Sequence, residues 1–243
     1  QYTDDYADVY NLIGMEYLFM DNLEMAKDSF IKCLEEDLED QSALYNVVYC
    51  FEFLDQNKEA IDYLNQYIEK NPYSEIAWHQ VGRLHYGLKE YEEAIRAFNY
   101  ATLIDDEFMG AFMEKAKALE RLKKYKEAQA SINKFWKYSA GNKITALDYG
   151  YSGKIAAANN DTSSAIKYLK SAVALDTNNA DLQSEYAKAL YTAKRYKESI
   201  SEYKRRVGMK KSAASLDYYF LGRAYFANGE YVCADTSFAD FSR

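Results

Sequence analysis

The sequence holds one proline, ten glycines, two histidines and three cysteines in 243 residues. Each scarcity closes off a class of structure. With so little turn punctuation there are few places for hairpins, and a chain rich in Ala, Leu, Glu, Lys and Tyr is expected to be mostly helical. An odd number of cysteines without paired spacing argues against a disulfide framework or a zinc site. It fits a reducing compartment or simple burial, the cytoplasm ahead of the periplasm. No run of about 18 apolar residues is present, so no membrane insertion is expected. The opening stretch from Gln1 to Asp8 is polar and acidic rather than a basic signal sequence. The start at Gln1 instead of methionine is compatible with a removed leader or a further domain, and leaves secretion open.

Catalysis needs titratable groups that converge, and the only histidines are His79 and His85, with no cysteine at nucleophile or ligand spacing from either. No catalytic residue, metal or cofactor is expected. Carboxylate pairs such as Glu35-Glu36 and Glu92-Glu93 fit solvated helix faces. Gly150 and Gly153 lack the lysine spacing of a phosphate-binding loop. The net charge of −8 hides an asymmetry: residues 1–140 carry 15 Lys and Arg against 27 Asp and Glu, whereas residues 141–243 carry 15 against 11. An acidic chain is a poor generic nucleic-acid binder, because affinity for phosphate rests on clustered cations.

What the sequence does have is self-similarity. Units start at Ala7, Gln41, Glu75, Met109, Ala146, Ala180 and Ser215, spaced by 34, 34, 34, 37, 34 and 35 residues. Two helices that cross closely need small side chains at the crossing. The eighth position supplies them with Gly14, Val48, Gly82, Ala116, Gly153, Ala187 and Gly222, and the twentieth with Ala26, Ala60, Ala94, Ala128, Ala165, Ser199 and Ala234. Larger, mostly apolar residues fill the twenty-fourth position, from Phe30, Leu64 and Phe98 to Ile132, Leu169, Tyr203 and Phe238. Polar turns separate the two helices of each unit. Tyr91, Tyr125, Tyr196 and Tyr231 recur just after the turn and are expected to pack back over it.

In the third unit the pattern reads Trp78, Val81, Gly82, His85, Ala94, Phe98 and Ala101. The seventh reads Tyr218, Leu221, Gly222, Tyr225, Ala234, Phe238 and Phe241. This resembles the tetratricopeptide repeat, over essentially residues 7–243. The resemblance implies an all-α, right-handed superhelical solenoid of seven helix-turn-helix units. It also implies a noncatalytic scaffold that binds a peptide or protein segment in a concave groove. Gln183 and Arg206 replace apolar or small residues in the sixth unit, which is expected to pack less tightly.

The ninth position, which the resemblance points into the groove, reads Met15, Tyr49, Arg83, Lys117, Lys154, Lys188 and Arg223. Five consecutive cations predict a basic row that takes an acidic peptide. Aromatics at other groove positions, Tyr45, Phe53, Tyr86, Tyr191, Tyr219 and Phe226, would add contact area. His79 is expected to face the groove, and His85, at an aromatic or apolar position, to be core. The carboxylate clamp by which some family members hold chaperone tails is not reproduced: its sites hold Asn11, Met15, Asn46, Ile76 and Gln80, and only Asn46 matches.

Three extra residues fall in the segment 139–145, where the charge balance turns. They divide the chain into an acidic array, 1–140, a junction, 141–145, and a mildly basic array, 146–243, in one continuous solenoid. A fusion of two repeat arrays with a purely architectural role, or the recognition arm of a larger enzyme, is the alternative. Phe238 and Phe241 at the carboxyl end lack a polar capping helix, which predicts self-association.

Overall fold

The computed structural model describes residues 6–209 and 215–242. Residues 1–5 of the acidic opening stretch and Arg243 lie outside the described residues. Fourteen α-helices, and no strand, occur among the described residues. In chain order they are α1 (Tyr6–Phe19) and α2 (Leu23–Glu36), α3 (Gln41–Phe53) and α4 (Asn57–Lys70), α5 (Glu75–Gly87) and α6 (Tyr91–Ile104), and α7 (Met109–Arg121) and α8 (Tyr125–Lys137). There follow α9 (Ala146–Ala158) and α10 (Thr162–Leu175), α11 (Ala180–Thr192) and α12 (Tyr196–Gly208), and α13 (Ser215–Ala227) and α14 (Tyr231–Phe241). Six of the seven first helices begin on the residue at which the repeat begins in sequence. All seven second helices begin on its seventeenth position.

One backbone device makes every hairpin. The fifteenth residue of each unit is left-handed: Asp21, Asp55, Lys89, Lys123, Asn160 and Lys194 have φ between 56° and 65°, and Gly229 has φ 83°. After α5, the Glu90 amide donates to the His85 carbonyl at 2.9 Å and Lys89 to Tyr86 at 3.0 Å. Those are the paired bonds of a Schellman motif, which satisfy the orphan carbonyls of the helix end. Aromatic pairs then close over the turns: Tyr86 with Tyr91 at 5.5 Å, Tyr191 with Tyr196 at 5.5 Å, and Phe226 with Tyr231 at 5.3 Å. Asp40, Ser74, Thr145 and Asn179 cap α3, α5, α9 and α11 with side-chain oxygens.

Within each hairpin the eighth position meets the twenty-fourth. A Cβ on Gly14, Gly82 or Gly153 would lie 2.5 Å from Phe30, Phe98 or Leu169, and one on Gly222 would lie 2.6 Å from Phe238. Where the eighth residue grows, the partner is no longer phenylalanine in the second and fourth units: Val48 is paired with Leu64 and Ala116 with Ile132, all buried. The twentieth-position alanines from Ala26 to Ala165 are fully buried. Ser199 joins them by donating its hydroxyl to the Ala187 carbonyl at 2.8 Å.

The chain divides into two compact units, Gln1–Leu122 and Lys123–Arg243. In the first, a continuous apolar core runs from α1 into α6. Asp40 ties three of its helices together, accepting from Asn11 Nδ2 at 2.7 Å and from Cys33 Sγ at 3.3 Å. The second unit contains the three-residue insertion. Gly141 takes φ 80° there, and Thr145 and Asp148 form a reciprocal capping box that restarts the helix. Trp136 of α8 packs across the insertion, stacked 5.2 Å from Tyr168 and tilted against Tyr149 at 4.9 Å, with Nε1 donating to Ser152 Oγ at 3.0 Å. In the sixth hairpin both polar residues are buried, and Gln183 leaves its Oε1 without a hydrogen-bond partner. Gln183 is fully buried and donates to Glu202, and Arg206 is paired at 3.0 Å with Asp217, both sealed from solvent. Charge complementarity replaces the small apolar contact expected there.

Candidate functional site

Turning the eighth residue inward leaves the ninth outward, one step around the helix. Met15, Tyr49, Arg83, Lys154, Lys188 and Arg223 are exposed, and Lys117 is half-buried. Successive first helices touch one another, α3 with α5 and α5 with α7 in the first unit, and α9 with α11 and α11 with α13 in the second. Two ninth-position side chains, Arg83 and Arg223, reach residues of the preceding first helix.

In the first unit those cations are answered locally. Arg83 Nη2 lies 3.6 Å from Glu52 of α3, and Nη1 donates to Gln80 Oε1 at 2.8 Å. Lys117 is 2.8 Å from Glu114, one turn back on α7. Tyr45 and Tyr49 are about two-fifths exposed, and Tyr49 packs on Phe53 at 4.3 Å. Tyr86 is engaged by its turn partner Tyr91, and its hydroxyl accepts from Arg121 Nε at 3.3 Å. This unit carries 10 Lys and Arg against 26 Asp and Glu.

The second unit differs in kind, with 20 Lys and Arg against 12 Asp and Glu. Two of its three ninth-position cations, Lys154 and Arg223, sit on aromatics rather than carboxylates. Lys154 Nζ is 5.8 Å from the Tyr151 ring, and the Arg223 guanidinium lies 5.3 Å from the Tyr191 ring and 5.8 Å from Tyr219. Lys188, Tyr191, Thr192, Tyr203, Phe220 and Arg223 line a cleft of about 200 Å³. Four residues predicted for the groove thus come together: Lys188, Tyr191 and Arg223 in the cleft wall, with Tyr219 under Arg223. Phe226 is exposed on the same helix but packs on Tyr231.

His79 corrects an expectation. It does not project from the face but is 9% exposed, its ring held between Phe98 at 5.7 Å and Phe108 at 5.0 Å. Neither ring nitrogen has a hydrogen-bond partner. Burial, reinforced by the charges of Arg83 and Lys117, pulls its pKa down to about 4, so the ring is neutral near pH 7. The expectation failed because Phe108 belongs to the connection before α7, which the periodicity of α5 does not reveal. The other histidine moves the opposite way: His85 is half-buried at the turn, with Nδ1 2.7 Å from Glu90 Oε2.

The buried thiols of Cys33 and Cys50 are pushed up to about 12 and about 11 by burial. Among the described residues no three His, Cys, Asp or Glu side chains are grouped to hold a metal ion, and no helix is long and apolar enough to cross a membrane.

Family models described as tetratricopeptide repeat match residues 7–40, 76–108 and 156–207. No curated protein matches the sequence. Among solved structures, YrrB, described as a repeat protein of this kind with an unusual peptide-binding site, is similar at 17% identity and a TM-score of 0.67. The match covers 73% of this chain and 90% of that one. A tetratricopeptide-repeat protein from Parabacteroides merdae is similar over 98% of this chain and 92% of its own, at 12% identity and a TM-score of 0.63. The C-terminal part of a repeat protein from Cytophaga hutchinsonii is 26% identical over 67% of this chain and 63% of that chain, with a TM-score of 0.58. Fourteen helices in seven hairpins among the described residues, the small residues at the eighth and twentieth positions, and these matches place the chain in the tetratricopeptide-repeat family.

Proposed function

We propose that the first-helix faces bind an extended acidic segment of another protein, and that the chain is a noncatalytic scaffold. The cleft in the second unit carries this reading. Among the described residues, Lys154, Lys188 and Arg223 make no ion pair. An incoming carboxylate therefore need not displace a resident one, and the adjoining rings offer the rigid apolar area that dominates binding hot spots. The peptide-binding site named for YrrB supports a peptide as the ligand class. The absence of catalysis is supported by the chemistry of the candidates: His79 is sequestered, His85 is paired with Glu90, and Cys33 and Cys50 are held as thiols.

The test is fluorescence anisotropy with a labelled Asp- and Glu-rich decapeptide. Lys188→Glu combined with Arg223→Glu is expected to weaken binding about tenfold or more and to flatten its dependence on salt. Unchanged affinity would count against the assignment. Self-association rests on a separate observation, the exposure of Val232 and Phe241 on α14. A strict monomer in sedimentation at high concentration would exclude it.

A further inference from the structure

The cleft of the second unit has an interior that its two cations do not explain. Lys188 of α11 and Arg223 of α13 supply its charge, but most of the other lining residues are aromatic. The rings of Tyr203 and Phe220 are stacked, with centroids 6.0 Å apart and planes 16° apart. Tyr203 is 2% exposed and Phe220 half-buried, so the cleft is backed by one ring sealed from solvent and one that solvent half reaches. A purely acidic segment would meet the cations and leave these rings wet.

The size of the space indicates what would cover them. An apolar cavity of about 150 Å³ holds a benzene molecule, and this cleft has about 200 Å³. The polar groups of the lining do not compete for that space. Thr192 Oγ1 turns back to donate to the Lys188 carbonyl at 3.0 Å. The Arg223 guanidinium rests over the Tyr191 and Tyr219 rings at 5.3 and 5.8 Å. A guanidinium seated on rings keeps its in-plane N–H donors for a carboxylate.

We infer that the cleft takes an aromatic side chain of the bound acidic segment, while a carboxylate two positions along that segment meets Lys188 or Arg223. Side chains two apart in an extended chain point to the same side, about 6.6 Å from each other, so one enters between the rings while the other stays at the charged edge. An aromatic suits the cleft better than an aliphatic of similar area, because ring contacts add attraction beyond the area buried. This deepens the reading of the first-helix faces as a surface for an acidic segment and rests on it: charge brings the segment to the face, and the ring fixes its register.

Two labelled decapeptides of Asp and Glu, alike in charge, carry Phe or Ala at one central position and are titrated with the full chain by fluorescence anisotropy. The Phe peptide is expected to bind about tenfold more tightly, as burial of one large apolar side chain allows. Thr192→Trp, at an exposed position of the lining, fills the cleft without changing charge and should bring the Phe peptide down to the affinity of the Ala peptide. A third peptide, with 4-fluorophenylalanine, reads the ring on the unaltered chain: the difference in its ¹⁹F shift between light and heavy water should shrink on binding, as water leaves the ring. A Phe preference that survives Thr192→Trp, or a fluorine that keeps its full solvent shift when bound, overturns the aromatic site. If the Phe and Ala peptides bind alike, yet both weaken with Lys188→Glu combined with Arg223→Glu, the site falls and the face reading stands. If those charge reversals leave both peptides unchanged as well, both fall.

Discussion

Gly82→Ala is the substitution whose sign depends most on the repeat's internal geometry. The new Cβ would lie 2.5 Å from Phe98 Cε1 and 2.6 Å from Cδ1. Phe98 is fully buried, so its ring cannot swing into solvent. Overpacking of this kind costs about 1–3 kcal/mol, against which the helix propensity of alanine returns up to about 1 kcal/mol. The net loss is about 1–2 kcal/mol. Phe98→Leu alone removes ring volume from the same core and also destabilises. Together the two should cost less than their sum by about 1 kcal/mol, because removing the ring takes away the atoms that the new Cβ would overlap. Gly87 is the control: a Cβ there meets nothing within 4 Å, so Gly87→Ala should stabilise by about 0.5–1 kcal/mol. Thermal unfolding by circular dichroism reads the global effect, and amide exchange in α5 and α6 the local one. Because repeat arrays unfold through nearest-neighbour units, the local readout is the stricter. If Gly82→Ala were as stabilising as Gly87→Ala, or if the double variant were simply additive, the eighth position would not be a steric contact.

His79 should make stability fall with acid: it is neutral when folded with a pKa of about 4, while the unfolded ring titrates near 6.5, so protons bind the unfolded chain first. Its contribution is complete above about pH 6.5 and is lost as pH drops through about 4, at most roughly 3 kcal/mol, and His79→Phe should remove that slope in pH-dependent denaturation. Cutting the sealed pair with Asp217→Asn should cost about 3–5 kcal/mol, whereas Arg206→Met with Asp217→Leu should recover most of it in denaturant unfolding. Lys89→Gly should stabilise by about 0.5–1 kcal/mol, because lysine is strained at φ 65°; no gain in melting temperature would show that the turn tolerates it freely.

The hairpins were legible because close crossing admits few residue types and the demand recurs seven times. The turn conformation was not. Only the seventh unit places glycine at the fifteenth position, and the lysines of three others carry no local sign of a positive φ. The ninth-position row was legible as an exposed row, but its split character was not, since Glu52 and Glu114 answer the cations of the first unit from positions no cation pattern points to. His79 and His85 exchanged places because their surroundings come from Phe108 and Glu90, outside the stripe of α5. The Arg206–Asp217 pair did leave a sequence signal. Arg206 is the one charged residue at a position that reads Cys33, Tyr67, Ala101, Phe135, Ala172 and Phe241 in the other units, and the next repeat brings Asp217, at a position that is Ala43, Ala77 and Ala111 in three others, to meet it.

Whether the first helices form the binding surface can be decided by photo-crosslinking an acidic peptide bearing a benzophenone to the full chain and locating the adducts by mass spectrometry. Adducts confined to α5, α7, α9, α11 and α13, and lost from α11 and α13 with Lys188→Glu and Arg223→Glu, are the expected result. Adducts gathered on the second helices, or a pattern indifferent to those charges, would contradict it.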